Sequence, residues 1–514
     1  MTPSEWIAIL DFGSQYTQLI ARRIREANVF CEILAFNTKA DDLALRKPRG
    51  IILSGGPASV YADKAPKCDP GIFRLGIPVL GICYGMQLGS EVLGGSVHPA
   101  KSREFGATPL RVDDPGELLD GVPAETTVWM SHGDRVEGLS DAFRVLATTP
   151  NCPFAAVRHR EAPFFGVQFH PEVAHTPEGG RLLRNFLFRI AGCRGDWTPG
   201  RFIDQSVAEI REATAGKGIL CALSGGVDSS VVAVLCQKAV GDRLYCVFVD
   251  NGLLRKDEAA EVERVFRGQF NIHLECIDAS AKFLGELKGI TEPETKRVKI
   301  GHAFIRVFEE RAPAFKDIAF LAQGTLYPDV IESVSPWGGP SARIKGHHNV
   351  AGLPDVLGFK LVEPLRFLFK DEVRAIGRAL GIPDKILMRQ PFPGPGLGVR
   401  VIGEITAERL RVLRDADAVV TGEVERAGIQ GRLWQYFAVL LPVQTVGVMG
   451  DERTYENVAA VRIVESTDGM TADWARVPPD LLARISSRII NEVKGINRVV
   501  YDISSKPPST IEWE

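Results

Sequence analysis

The chain is predicted to be α/β, with two successive open domains built on mostly parallel sheets and a smaller α+β domain at the C-terminal end. Three observations carry this prediction. Short apolar runs, each ending in a polar or glycine-rich turn, alternate with helical patterns through the first two thirds of the chain. A glycine-rich break, Gly192 to Gly200, divides that pattern in two. At 514 residues the chain is too long for one core, and a prior of roughly 150 residues per domain suggests about three.

Composition narrows the function classes. A hydrophobic fraction of 45% and a charged fraction of 24% are those of an ordinary globular protein. A net charge of -3 makes no electrostatic case for nucleic acid or a membrane surface. No apolar run approaches the ~18 residues of a spanning helix. The start, MTPSEWIAILDFG, has no basic region, and its apolar run stops at Asp11, so no signal peptide is expected. Nine cysteines, an odd number without C-x-x-C spacing, argue against a disulfide framework and against a zinc site. A reducing, cytoplasmic setting is the expectation.

In the first third, Trp6 to Leu10, Gly50 to Leu53 and Pro78 to Gly81 read as strands, with a helix over Thr17 to Glu26. Ligands of such sheets gather beyond the carboxyl ends of strands. Gly81-Ile82-Cys83-Tyr84-Gly85 has the G-x-nucleophile-x-G form of a strained elbow, with Cys for Ser. Most cysteines are small buried hydrophobes, but glycines on both sides favour a nucleophile lifted clear of the sheet, and a following helix would help hold a thiolate. Phe169-His170-Pro171-Glu172 follows the apolar strand Phe164 to Gln168. A His can take the thiol proton and return it to a leaving amine while a carboxylate orients it. Together the two motifs make a Cys83-His170-Glu172 triad.

This combination resembles class I glutamine amidotransferase domains over about residues 6–192. The resemblance implies a γ-glutamyl thioester on Cys83 and release of ammonia. It also implies that Ser54-Gly55-Gly56-Pro57 is the oxyanion loop, with the N–H groups of Gly55 and Tyr84 facing the oxyanion. Gln87 and the Ser131-His132-Gly133-Asp134 turn fall where that family grips glutamine, through Gln87, Ser131 and Gly133. His132 is then a competing base, and His170 is preferred because it has a glutamate partner.

Beyond the break, a helix (Phe202 to Ala213) leads to the apolar strand Gly218 to Leu223. The turn Ser224-Gly225-Gly226-Val227-Asp228-Ser229-Ser230 comes next, and then an apolar helix from Val231 to Cys236. Two glycines, three hydroxyls and the free N–H groups of a helix start make an anion cradle. It lacks the Lys of a Walker loop. The motif resembles the pyrophosphate loop of ATP pyrophosphatases, which implies cleavage of ATP between its α and β phosphates. Asp228 would serve Mg²⁺ there, since a hard cation bridging phosphates needs only one or two protein carboxylates. The strand Leu244 to Val249, ending at Asp250-Asn251-Gly252, would border the adenosine.

The basic run Glu294 to Lys299 could serve a second phosphate. Gly324 to Asp329 and Ile344 to Asn349 bracket a Gly/Ser/Pro-rich segment, Ser333 to Ser341, that reads as a mobile loop. His347 and His348, without matching ligand spacing, are poor evidence for a metal. Pro391-Phe392-Pro393-Gly394-Pro395-Gly396-Leu397-Gly398 ends the second domain, because alternating Pro and Gly continue neither helix nor central strand. In the last third Val443 to Met449 reads as a strand, and the chain ends in Lys506-Pro507-Pro508-Ser509-Thr510-Ile511-Glu512-Trp513-Glu514.

With PFPGPGLG and this tail, the whole chain resembles the glutamine-hydrolysing GMP synthetase family; the one local oddity is Gly346, where a Ser is expected. The resemblance implies an amidotransferase domain at 1–192, a linker at 193–200, an ATP pyrophosphatase domain at 201–395, and a dimerisation domain at 396–514 whose tail closes over XMP. Arg297, Lys345, Lys506, Ile511 and Glu512 would then contact XMP. Substrates would be XMP, ATP and glutamine, with Mg²⁺, in a homodimer that binds neither nucleic acid nor membrane. A related ammonia-using ATP pyrophosphatase would share the phosphate loop but leave the triad domain and the tail unexplained.

Overall fold

A computed structural model describes residues 5–311, 314, 317–333, 358–449, 452–466, 469 and 471–514. The chain forms two compact units, one of residues up to Phe202 with a short stretch from Pro328, the other from Ile203 through the remaining chain. The expected loop after Ser333 and the segment holding Lys345, Gly346, His347 and His348 lie outside the described residues. No helix among the described residues is long and apolar enough to cross a membrane.

The first unit holds a nine-stranded sheet in the order β2-β1-β3-β4-β9-β8-β7-β5-β6. Strands β1 (Trp6–Asp11), β2 (Phe30–Ala35), β3 (Gly50–Leu53), β4 (Val79–Ile82) and β9 (Phe164–Val167) pair in parallel. Continuous apolar runs such as IIL in β3 suit strands covered on both faces, and β3, β4 and β9 are buried throughout. From β9 outward the pairing turns antiparallel through β8 (Ala156–His159), β7 (Phe143–Thr148), β5 (Ser96–Val112) and β6 (Glu125–Gly138). The sheet is therefore parallel in one half and antiparallel in the other, with the long β5–β6 hairpin at its edge.

The stretch expected as a linker is packed rather than free. Arg194 binds the buried Glu5 carboxylate through its side chain (2.6 Å) and its backbone N–H (2.9 Å). The Trp197 ring packs against Phe30, tilted by 54° with 4.7 Å between ring centroids. The next helix begins at Pro199, earlier than the expected Phe202; Pro is well placed at a first helical position, where its missing N–H costs nothing.

The second unit holds a five-stranded parallel sheet, β12-β11-β10-β13-β14. Its strands are β10 (Gly218–Ala222), β11 (Leu244–Asp250), β12 (Leu274–Asp278), β13 (Ile318–Ala322) and β14 (Lys360–Val362). The helix after β10, Val227–Val240, is apolar nearly all round and accordingly buried. The long hairpin of β15 (Gln435–Met449) and β16 (Glu452–Glu465) is extended by β17 (Asp473–Trp474) and by β18 (Ile496–Tyr501), the latter parallel to β16. The expected strand at Val443 lies inside β15. One apolar core runs from Leu220 and Val247 of the parallel sheet to Ile463, Ile485 and Ile489 of the last third.

Candidate active sites

Strands β3, β4 and β9 are neighbours and end at Leu53, Ile82 and Val167. Parallel pairing therefore delivers Gly55, Cys83 and His170 to one edge of the sheet, which is why motifs distant in sequence meet. Cys83 takes φ +52°, ψ −107°, a left-handed backbone that a non-glycine residue keeps only when its surroundings force it. The surroundings are its two glycines. A Cβ on Gly81 would stand 2.5 Å from the Gly85 carbonyl oxygen, and one on Gly85 2.3 Å from that of Leu53. Strand, turn and helix thus touch backbone to backbone. Tyr84 opens the helix Tyr84–Val92, so its N–H has no intrahelical acceptor, while its hydroxyl donates to the Pro66 carbonyl at 2.7 Å. Gly55 approaches the imidazole closely: a Cβ there would lie 3.3 Å from His170 Cε1.

His170 Nδ1 and Glu172 Oε1 are 2.8 Å apart, and both residues are buried. Thr176 fixes the turn by donating to the His170 carbonyl (2.7 Å), and the Tyr16 ring meets the imidazole edge-on. Burial alone disfavours an imidazolium, but hydrogen bonds to Cys83 and to Glu172 outweigh it and bring His170 up to about 10. The Cys83 sulfur lies 3.8 Å from the Ser131 carbonyl oxygen, and the Gln168 amide donates to it at 3.6 Å. Gln87, wholly inside, donates to the Asp134 carbonyl (2.8 Å) and to the Gln168 side-chain oxygen (3.2 Å). Gln168 was not singled out from the sequence, although it sits in the strand-end run before His170.

His132 also has a glutamate: its Nε2 is 3.2 Å from Glu104 and its Nδ1 3.0 Å from the Asp134 carbonyl. In the same strand the Ser131 carbonyl faces the Cys83 sulfur, while the His132 imidazole is taken up by Glu104 and the Asp134 carbonyl. Gly133 follows, a Cβ there meeting Arg103 alone among the described residues, at 3.9 Å.

In the second unit β10 ends at Ala222 and the turn 224–230 carries the chain into its helix. Gly225 has φ +73°, and a Cβ on it would lie 2.8 Å from Val262, so glycine is required there. The hydroxyls of Ser224 and Ser229 are 2.9 Å apart, Gly226 N–H donates to Ser224, and Ser230 donates to the Gly226 carbonyl at 2.6 Å. Val227 and Asp228 form the first helical turn. Both Asp228 oxygens accept from Lys370 Nζ, at 2.7 and 2.5 Å, across 142 residues. Lys370 was not singled out from the sequence, where nothing local marks it. Arg389 backs the loop by donating to the Gly225 carbonyl at 3.1 Å.

The tail is docked by buried cations. Arg400 grips Glu512 with two nitrogens (3.0 and 2.8 Å), and Gln435 adds a third bond at 2.9 Å. Arg462 donates to the carbonyls of Ser504, Thr510 and Ile511. Lys296, fully buried, reaches Glu514, and Arg297 donates to the Glu514 carbonyl. Ile511 packs with Phe437, Val439 and Ala460, and Lys506 Nζ donates to the Gly469 carbonyl at 2.8 Å. Of the expected XMP residues, Arg297 and Glu512 thus sit on the docked tail and its cationic bed. Arg400 and Gln435, which hold Glu512, were not singled out from the sequence.

Comparison with known proteins matches the family models "Glutamine amidotransferase class-I" over residues 8–190, "NAD synthase" over 201–286 and "GMP synthase C terminal domain" over 422–513. A GMP synthase (glutamine-hydrolyzing) of Thermosynechococcus vestitus is 56% identical over 99% of this chain and 96% of its own. One of Acetivibrio thermocellus is 57% identical over 99% of this chain and 100% of its own. One of Alkaliphilus metalliredigens is 54% identical over 99% of both. With full-length relatives of this name at more than half identity, the chain belongs to the glutamine-hydrolysing GMP synthase family.

Proposed function

We propose that the chain converts XMP to GMP with ATP and with ammonia drawn from glutamine, releasing AMP, pyrophosphate and glutamate. The observation that carries this reading is the presence in one chain of a buried Cys83-His170-Glu172 constellation and a strand-to-helix phosphate cradle at 224–230. A synthetase that uses only free ammonia needs the second and has no use for the first.

At the first site Cys83 attacks the glutamine carboxamide carbon. His170 accepts the thiol proton, stays oriented by Glu172, and returns the proton to the departing ammonia. The N–H groups of Gly55 and Tyr84 receive the oxyanion. Gln87, Ser131 and Gly133 hold the substrate, and water then hydrolyses the thioester. At the second site Ser224, Gly225, Gly226, Val227, Ser229 and Ser230 hold the β and γ phosphates of ATP, with Lys370 as a further cation. The XMP C2 oxygen attacks the α phosphorus, pyrophosphate leaves, and ammonia displaces AMP from adenylyl-XMP. Adenylylation is needed because a purine carbonyl oxygen is a poor leaving group.

Asp228 fits a Mg²⁺ carried by the nucleotide, since it sets one carboxylate beside the cradle and the phosphates supply the other oxygens. Bound Mg²⁺ would neutralise charge on the phosphate oxygens. Arg297, Lys345, Lys506, Ile511 and Glu512 contact XMP or close over it. Residues 1–192 form the amidotransferase, 193–200 the connection, 201–395 the synthetase, and 396–514 the domain that pairs two copies in a cytoplasmic homodimer.

Replacing Cys83 with Ala tests the division of labour. GMP formation from XMP and ATP should vanish with glutamine and persist with an ammonium salt. Loss of both in a folded protein, or survival of the glutamine reaction, would remove Cys83 from its role.

A further inference from the structure

We propose that Glu104, His132 and Cys152 form a zinc site behind the glutamine-binding turn. Glu104 and His132 stand directly opposite each other across the β5–β6 hairpin, a rigid cross-strand pair. Cys152 comes from the turn between β7 and β8, closed by Thr149, whose N–H donates to the Cys152 carbonyl (2.9 Å) and whose hydroxyl accepts from the Cys152 N–H (3.0 Å). One ligand atom from each residue lies within 4.8 Å of the others, and all three residues are buried. Tetrahedral zinc with bonds of about 2.0 to 2.3 Å sets its ligand atoms roughly 3.5 Å apart. The His132–Glu104 separation is already 3.2 Å, and the sulfur lies within 4.8 Å of both.

The hydrogen bonding gives an independent pointer. The Asp134 carbonyl can only accept, so His132 Nδ1 bears the hydrogen at that contact. Nε2 then meets a carboxylate oxygen at 3.2 Å, and one proton has to lie between two atoms that otherwise present lone pairs to each other. A divalent cation replaces that proton and adds a bond to sulfur. Thiolate, imidazole and carboxylate are the donor set of zinc rather than of magnesium or calcium. Two anionic ligands balance its charge, and the nearby Arg135 is paired with Glu137 at 3.0 Å. Cysteine spacing along the chain could not reveal the site, because its ligands come from three segments.

Zinc binding exchanges protons for metal: Cys152 loses its thiol proton, the His132–Glu104 pair loses the one it shares, and both go to solvent. The metal would also fix the Ser131-His132-Gly133 turn. That consequence rests on the proposed glutamine-binding role of the turn; binding itself does not.

The Cys83→Ala protein, from which the competing thiolate is gone, should bind one zinc per chain when titrated with zinc chloride against a chromophoric chelator. Cobalt(II) in place of zinc should give a thiolate-to-metal charge-transfer band. Adding Cys152→Ser should abolish the band and weaken zinc binding more than about 100-fold, a ligand costing at least what its supporting partners do. Glu104→Gln should keep the band and weaken binding more than about tenfold. No zinc binding by the Cys83→Ala protein, or unchanged affinity in either further variant, overturns the site. In the chain with Cys83 intact, zinc should slow the glutamine reaction while sparing the ammonium reaction, and Cys152→Ser should remove that inhibition. Inhibition that survives Cys152→Ser places zinc on Cys83 and overturns the effect on the turn.

Discussion

Two buried His–Glu pairs sit in the first unit, His170–Glu172 at 2.8 Å and His132–Glu104 at 3.2 Å. From the sequence a glutamate partner was the reason to prefer His170, and that reason does not separate them. The second contact of each imidazole does. His170 gives Nδ1 to its glutamate and also hydrogen-bonds Cys83. His132 spends both nitrogens on scaffold groups, Asp134 and Glu104. Their proton affinities diverge accordingly. Burial lowers both, but Cys83 and Glu172 lift His170 to about 10, whereas the contacts of His132 do not offset burial and its pKa stays below the usual value. A carboxylate neighbour orients an imidazole; a base also needs a nitrogen aimed at the nucleophile.

The largest expected effect breaks this comparison if it fails. His170→Ala should reduce the glutamine-dependent rate by roughly 10³ to 10⁴, as loss of a triad base does elsewhere, and leave the ammonium-dependent rate intact. His132→Ala should act mainly through KM for glutamine, with kcat falling by less than about tenfold. Steady-state kinetics with both nitrogen sources separates them, and equal losses in kcat would make His132 a working partner of Cys83. A second effect concerns the thiol itself. At fixed pH, alkylation of Cys83 by iodoacetamide should be slower in His170→Gln than in the native protein, because the imidazole no longer takes the thiol proton. An unchanged rate would remove the Cys83–His170 coupling.

What the sequence disclosed follows a physical rule. Residues whose chemistry lies within one strand-end turn were legible: the elbow at Cys83, the His170-Pro171-Glu172 turn and the cradle from Ser224 to Ser230. Each is stamped locally by glycines or by spacing, and the crowding at Gly81 and Gly85 explains why. Partners that only strand or tail pairing brings near were not. Lys370 meets Asp228 from 142 residues away, and Arg400 meets Glu512 from 112. Of the parallel strands, β1, β3, β4, β9, β10 and β11 were legible as unbroken, largely buried apolar runs, whereas β2, β12, β13 and β14 were not singled out. Of the antiparallel strands, β5 is exposed along much of its described length and β6 is half-buried or buried along most of its own, and both carry polar residues, so their pairing with each other and with β7 was hidden.

The two histidines should also pull stability in opposite directions with pH. His170 has a folded pKa raised above the ordinary 6.5 to about 10. Its contribution is fully present below about 6.5 and is lost as pH rises through about 10. His132 has a folded pKa lowered by burial, so its contribution is present above the ordinary value and lost as pH falls below it. The difference in Tm between native protein and His170→Gln should therefore narrow from pH 6 to pH 10, by a few degrees for a chain of this size. The corresponding difference for His132→Gln should narrow toward low pH. Calorimetry extended from about pH 4 to pH 10 would show two slopes of opposite sign, the His132 one below about pH 6.5 and the His170 one above it, and parallel slopes would mean that the imidazoles are not in distinct electrostatic settings.

The smallest effect sharpens the comparison most, because it concerns a group that is neither base nor carboxylate. Gln168 is fully buried and joins the two neighbourhoods: its side-chain oxygen accepts from Gln87, which also holds the Asp134 carbonyl, and its nitrogen donates to the Cys83 sulfur. A hydrogen bond to a charged group contributes about 1.5 to 3 kcal/mol, but at 3.6 Å to a large, soft sulfur the lower end applies. Gln168→Leu should therefore cost about tenfold in kcat with glutamine and slow alkylation of Cys83 by iodoacetamide at fixed pH. Gln168→Glu should slow it further, since a carboxylate repels the thiolate where an amide donated to it. If both variants lower kcat without changing the alkylation rate, Gln168 only packs, and the coupling of thiolate to glutamine-binding turn runs through His170 alone.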